Sequence, residues 1–197
     1  MAQSEIDAIR ALLGAKPRPV GWDARRRRID EAGSVWAVAG DVILERTDLN
    51  GVPGEWPIAP GCDPSRVLMF FHGGGYCSGS ILSHRRMVTE AGRAGRLRTL
   101  AVGYRLAPEH PFPAAWDDAM TAWRSLVAQG YPPSRIAVGG DNAGGGLTLA
   151  LAGELKARGR GTAGLPLAHF AVDRSHDVGG DAREQVRYRS AYPEGVS

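Results

Sequence analysis

The densest chemistry in the chain lies at Gly139-Gly140-Asp141-Asn142-Ala143-Gly144-Gly145-Gly146. The stretch follows a short apolar run, Ile136-Ala137-Val138, and precedes a helix-like run over residues 147–156. Strand, glycine corner and helix together are what a nucleophile elbow needs, because the attacking side chain must stand exposed on a tight, strained turn. In the frame G-x-S-x-G, Gly140 and Gly144 are the glycines, and Asp141 and Ala143 are the spacers. Asn142 stands where the frame has serine. An amide nitrogen is delocalised and does not attack carbonyl carbon. The carboxamide is also bulkier than a hydroxymethyl group, so it is expected to point into the neighbouring hydrogen-bond donors and fill part of their space.

Those donors are expected from a second stretch, His72-Gly73-Gly74-Gly75-Tyr76, which leaves the apolar run 67–71. Acyl transfer requires a nucleophile, a base with an orienting acid, and donors for a tetrahedral oxyanion. A glycine loop has no side chains in the way, so its backbone N–H groups can approach a substrate oxygen, and the N–H of Ala143 can reach the same place. A phosphate loop is disfavoured because no Lys-Ser or Lys-Thr follows the glycines. Read singly, either stretch could merely permit a tight turn. The base is harder to find. His169 and His176 follow the corner, and His176-Asp177 offers an imidazole beside a carboxylate. Adjacent residues seldom direct their side chains at one another, so that pair is expected to be solvated. His72 and His110 read as structural, and the lone Cys77 as packing.

The elements that must position these groups follow from periodicity. Residues 4–13 read as a short amphipathic helix, and Asp23 is expected to cap a second helix to about Ala32, with Arg25, Arg26, Arg27 and Arg28 mostly outward. Residues 35–46 alternate as a strand. Asn50-Gly51 signals a hairpin, and 52–59 returns antiparallel, placed at an edge by Pro53 and Pro57. A turn at 61–65 leads to a buried strand at 67–71. Ser83 is expected to cap a helix to about Gly95, followed by a strand over 99–104. An extended, proline-stiffened crossing over 105–113 precedes a helix over 114–129. The predicted class is α/β: a mostly parallel sheet, an antiparallel N-terminal hairpin and helices on both faces. From Asp173 onward no period is visible, and the chain is expected to be poorly packed there.

Composition narrows the partners. The chain has 197 residues, 24 Lys+Arg against 21 Asp+Glu, and 43% hydrophobic residues, which suits one globular domain. Its basic excess is mild and almost wholly arginine. The run 25–28 lacks interleaved aromatics or glycines, so no nucleic-acid partner is expected. Cys62 and Cys77 have neither a disulfide framework nor metal-ligand spacing, so no metal is expected. With no apolar run long enough to cross a bilayer and no leader after Met1, the expectation is a cytoplasmic protein with no membrane partner.

In order and spacing, His72-Gly73-Gly74-Gly75-Tyr76, the stretch from Tyr104 to Asp118, and the glycine corner from Gly139 resemble the hormone-sensitive-lipase family of α/β-hydrolases. The resemblance covers residues 4 to about 167. It implies an ester hydrolase with no cofactor, acting on a small-molecule ester or acyl ligand of short to medium chain. It implies helical cap elements over 1–34, a hydrolase core over 35–167 comprising the first half of the fold, and an irregular tail over 168–197. Gly74, Gly75 and Ala143 match the family's oxyanion-hole donors. His72, Gly73, Asp141, Gly140 and Gly144 match its motif support, and Tyr104, Arg105 and Glu109 match a crossing that buttresses the corner from behind. Two departures set the expectations for activity. Asn142 replaces the nucleophile, and the family's later acid and base motifs do not occur. The expectation is therefore a truncated chain, with a tail read out of frame from near codon 168, and inactive or strongly impaired. The alternatives are a non-catalytic acyl-ligand binder, or a fragment needing a partner chain. Missing strands would also leave the corner strand at a sheet edge and uncover Leu147, Leu149, Leu151 and Leu155 for self-association.

Overall fold

Three apolar runs become neighbouring parallel strands in the computed structural model, which describes residues 19–159 and, ahead of them, Asp7, Ala11, Gly14 and Ala15. In chain order the elements are α1 (Trp22–Ser34), β1 (Ile43–Asp48), β2 (Pro53–Ile58), β3 (Asp63–Phe71), α2 (Ile81–Gly95), β4 (Leu97–Val102), α3 (Ala114–Ala128), a 3-10 turn (Pro133–Arg135), β5 (Ile136–Gly140) and α4 (Asn142–Ala157). The sheet order is β1-β2-β4-β3-β5. The last three strands run parallel, and β2 joins them antiparallel through Gly54↔Val102 and Glu55↔Ala101.

Alternation along β3 divides the core. Val67, Met69 and Phe71 face one side, with Leu100, Val102, Ile136 and Val138, and pack beneath Met120, Trp123 and Leu126 of α3 and Leu147, Leu151 and Leu155 of α4. Phe70 and Ala101 face the other side, against Val88 and Ile81 of α2. Helices thus cover both faces, as the apolar runs demand. Asn50 and Gly51 both take positive φ (61 and 92), the pairing that matches a two-residue hairpin to the strand twist. Leu49 N–H closes the hairpin on Val52 O at 2.8 Å.

Several boundaries differ from the sequence reading, each for a local reason. The stretch 35–42 is not strand; β1 starts at Ile43, where pairing to Ile58 begins. The pairing of β3 with β4 reaches back to Asp63, inside the expected turn, across an irregularity before Val67. β2 is interior, because β1 covers its other side. Pro57 is tolerated there because it lies past the two β2–β4 rungs. Ser80, not Ser83, caps α2: its Oγ accepts Ser83 N–H, while Ser83 Oγ accepts Ser80 N–H in return. Helix α1 starts at Trp22 after Gly21, so Asp23 lies in its first turn rather than at its cap. In the arginine run, only Arg27 is exposed. Arg25 lies over the Trp22 ring, and Arg26 turns inward. Leu147, Leu151 and Leu155 are buried rather than uncovered; Leu149 alone of the four is exposed. The expected helix over 4–13 falls mostly outside the described residues, as does the tail.

The sheet is tied to α2 by a buried ion pair. Glu55 on β2 is 4% exposed. Its two carboxylate oxygens accept Arg85 Nε at 2.7 Å and Nη2 at 2.6 Å. Removing the arginine strands a desolvated carboxylate in the core. Arg85→Met is therefore expected to destabilise the chain by about 3 kcal/mol in urea titration, and Glu55→Leu/Arg85→Met to recover most of that loss.

Candidate active site

The parallel register of β3 and β5 pairs Phe71 with Gly140, so the two strands end level. The loops leaving them, 72–76 and 141–142, therefore face each other beyond the carboxyl ends of the strands. Open α/β sheets place their ligand crevices there. Close approach of the corner needs both frame glycines. A Cβ on Gly144 would collide with the backbone carbonyls of Phe71 and His72, and one on Gly140 with Gly144 and Phe71. The corner residue itself, Asn142, sits at φ 48, a left-handed conformation that asparagine tolerates better than most side chains.

The glycine loop is oriented one peptide plane at a time. In a trans peptide the carbonyl and the next N–H point in opposite directions. The Gly73 carbonyl accepts a bond from His72 Nδ1 at 2.9 Å. The Gly74 carbonyl accepts from Ser78 Oγ at 2.8 Å, Ser78 N–H at 3.0 Å and Cys77 N–H at 3.2 Å. With both carbonyls turned into the scaffold, the N–H groups of Gly74 and Gly75 turn out of it. They converge on one atom, the side-chain oxygen of Asn142, at 3.3 and 3.1 Å. The expected carboxamide placement is what the structure has. Ala143 follows, buried in the first turn of α4.

Neighbouring groups hold this geometry. Asp141 Oδ1 accepts Gly73 N–H at 2.8 Å, and His84 Nε2 lies 3.4 Å from the same oxygen. Burial pushes the Asp141 carboxyl up, but His84 and the Gly73 N–H outweigh it and hold it below its ordinary value. His84 Nδ1 contacts Ser83 Oγ at 2.8 Å. His72 is 3% exposed and stacks on Tyr104 with centroids 4.3 Å apart, while Tyr104 Oη donates to His72 O at 2.7 Å. Since a carbonyl can only accept, His72 Nδ1 carries the proton. Burial pushes this imidazole down to about 4.

Not every sequence candidate joins the cluster. Glu109 does not bond to the corner itself and reaches the glycine loop only through Arg26. It is half exposed and takes a two-pronged bond from Arg26 Nη1 and Nη2, at 3.0 and 2.7 Å. Those bonds hold its carboxyl down at about 2. Arg26 also donates through Nε to Cys77 O at 2.9 Å and through Nη2 to Ala107 O at 2.8 Å, tying α1 to the glycine loop. Arg105 instead binds the buried Asp118 of α3. His110 is exposed. His169, His176 and Asp177 lie outside the described residues. Sequence reasoning missed His84 and Arg26. The first was signalled by Ser83-His84 at the start of the helix after the loop; the second had no signal within its arginine run. Among the described residues, no cluster of three or more His, Cys, Asp or Glu could hold a metal ion, and no helix is long and apolar enough to cross a membrane.

A doubly covered, mostly parallel sheet with a glycine loop and a strand–corner–helix at its carboxyl end defines a class, the α/β-hydrolases. A family model described as alpha/beta hydrolase fold matches residues 68–191. An acetyl-hydrolase of Streptomyces hygroscopicus is 36% identical over 182 residues, 87% of this chain and 56% of that protein. An ethyl acetate hydrolase of Pseudomonas putida is 37% identical over 150 residues, 69% of this chain and 47% of its own length. Among solved structures, an esterase from the bacterial hormone-sensitive lipase family superposes with a TM-score of 0.76 at 41% identity, covering 82% of this chain and 55% of that one. This chain belongs to the α/β-hydrolase family, of the hormone-sensitive-lipase type. It spans about half the length of the curated relatives it matches.

The buried imidazole gives the site a pH signature. In the unfolded chain His72 protonates near 6.5, whereas in the fold it resists until about 4. The unfolded state therefore takes up the proton first, and stability falls as pH drops through that window. The loss is about 3 kcal/mol by pH 4 and absent above 6.5. Thermal melts from pH 8 to 4 should show it, and His72→Phe should flatten that stretch of the profile.

Proposed function

We propose that this chain is a carboxylic-ester-hydrolase scaffold whose site engages the carbonyl oxygen of a small ester or acyl ligand, and that hydrolytic turnover is absent or strongly impaired while Asn142 stands in place of the nucleophile. The observation that carries the reading is the pair of N–H groups from Gly74 and Gly75 meeting on Asn142 Oδ1, itself a carbonyl oxygen. Preorganised backbone donors of this kind are worth about 3 kcal/mol each when they meet developing negative charge. Loss of a triad nucleophile costs about a millionfold in kcat, leaving binding and donor effects. The names of the relatives, an acetyl-hydrolase and an ethyl acetate hydrolase, favour short acyl groups. An esterase at 38% identity was solved after soaking with p-nitrophenyl butyrate, which recommends that ester as a probe.

With p-nitrophenyl acetate and butyrate, the chain is expected to release nitrophenol at the buffer rate; saturable turnover would defeat the impaired reading. Asn142→Ala frees both N–H groups, so butyramide, which offers a carbonyl but no ester, is expected to bind at least about tenfold more tightly than to the parent by calorimetry. Equal affinity would count against a carbonyl site.

A second reading, that the chain works against another polypeptide, is favoured by β5. Among the described residues β5 pairs on one side only, with β3. A free strand edge templates association. Sedimentation velocity across a concentration series is expected to show self-association, and a single monomer boundary throughout would remove this reading.

A further inference from the structure

We infer that Asn142 is a self-modification site: the two N–H donors that meet its side chain activate its own amide, and the folded chain slowly hydrolyses Asn142 to aspartate. The side chain presents the pieces of a bound acyl substrate. Its Oδ1 sits under Gly74 N–H at 3.3 Å and Gly75 N–H at 3.1 Å. Both bonds strengthen as that oxygen gains negative charge, which happens when water adds to the amide carbon. Asn142 is only partly buried, so solvent reaches the residue.

The step balances without any redox partner. A water oxygen bonds to Cγ, and the Cγ–Nδ2 bond breaks with its electron pair going to nitrogen. The nitrogen takes up both protons of the water and leaves as ammonium, and Cγ becomes a carboxylate. One carboxylate oxygen stays under the same two N–H groups at the start of α4, where negative charge is favoured. The adjacent carboxylate of Asp141 opposes this, but it is already engaged by Gly73 N–H and His84. The inference extends the donor reading to the chain's own amide and needs no external ester. It can therefore fail while carbonyl binding stands, or hold where no ester is turned over.

The sequence supplies an internal clock. The only asparagines are Asn50 and Asn142. Asn50 is exposed and followed by Gly51, the pairing most prone to attack by the next backbone nitrogen. That route passes through a cyclic imide and yields mixed normal and iso-linked aspartate. Direct hydrolysis yields the normal linkage alone. The test is timed incubation of the full chain in heavy-oxygen water, once folded and once in guanidinium chloride, with peptide mass spectrometry at both positions and Asn142→Asp protein as the standard. The expected result is normal-linked, single-labelled aspartate at 142, forming at least about tenfold faster in the folded chain than in the denatured one. Asn142 left intact while Asn50 converts, or an iso-linked mixture at 142, would overturn the inference.

Discussion

The structure depends on how two parallel strands end. Phe71 and Gly140 are paired, so β3 and β5 stop at the same height and their loops meet. From there the geometry follows from the rigidity of the peptide unit. Once the Gly73 and Gly74 carbonyls are held inward by His72 and by the turn at Cys77 and Ser78, the next two N–H groups have only one direction left. Much of what surrounds the corner serves that constraint. His72 is buried and stacked because its ring must present Nδ1 to a carbonyl. Gly140 and Gly144 lack side chains because the helix start must lie against the end of β3. Asp141 takes the first N–H of the loop and leaves the next two for residue 142.

That makes the identity of residue 142 unusually consequential. A serine there would reach only as far as a hydroxyl and leave the two N–H groups to solvent or substrate. Asparagine carries a carbonyl of its own and supplies it to them without any translational cost. Each such bond is worth about 1 kcal/mol net, so the carboxamide stabilises the corner while competing with any ligand for the same donors. Sites built for charge stabilisation are generally less stable than the fold could be, and substitutions that satisfy them exchange function for stability. The φ of 48 at the corner fits the same logic, because asparagine bears a left-handed conformation at lower cost than a β-branched residue would.

The sequence made the parallel strands, the hairpin and the corner legible because these rest on local signals: apolar runs, Asn50-Gly51, and glycines at fixed spacing. The motif frame also anticipated where the carboxamide would lie, since it sets residue 142 opposite the glycine loop. What escaped notice was set by partners distant in the chain. Pro57 looked like an edge marker because the sequence does not reveal how short the β2–β4 ladder is. Ser83 looked like a cap because it shares a reciprocal box with Ser80. Leu147, Leu151 and Leu155 were expected to be uncovered, yet α3 and the strands bury them. Glu109 was assigned to the corner by resemblance, whereas its partner is an arginine 83 positions earlier.

That arginine changes how α1 should be understood. A run of four arginines beginning at Arg25 invites a reading as solvated charge, and a guanidinium free in water would contribute nothing to the site. Arg26 instead places its donors on Cys77 O, on Ala107 O and on Glu109. Ala107 N–H in turn donates to Tyr76 O. Helix α1, the glycine loop and the crossing are thereby one hydrogen-bonded unit. Gly33 lets α1 lie directly against Ser83, and Ser80 Oγ donates to Asp30, so the same helix also touches the cap of α2, which carries His84. The two supports of the corner, Asp141 through His84 and the N–H donors through their loop, thus meet on a single helix. Loosening α1 would disturb both at once, which is why this helix belongs with the site rather than with the surface.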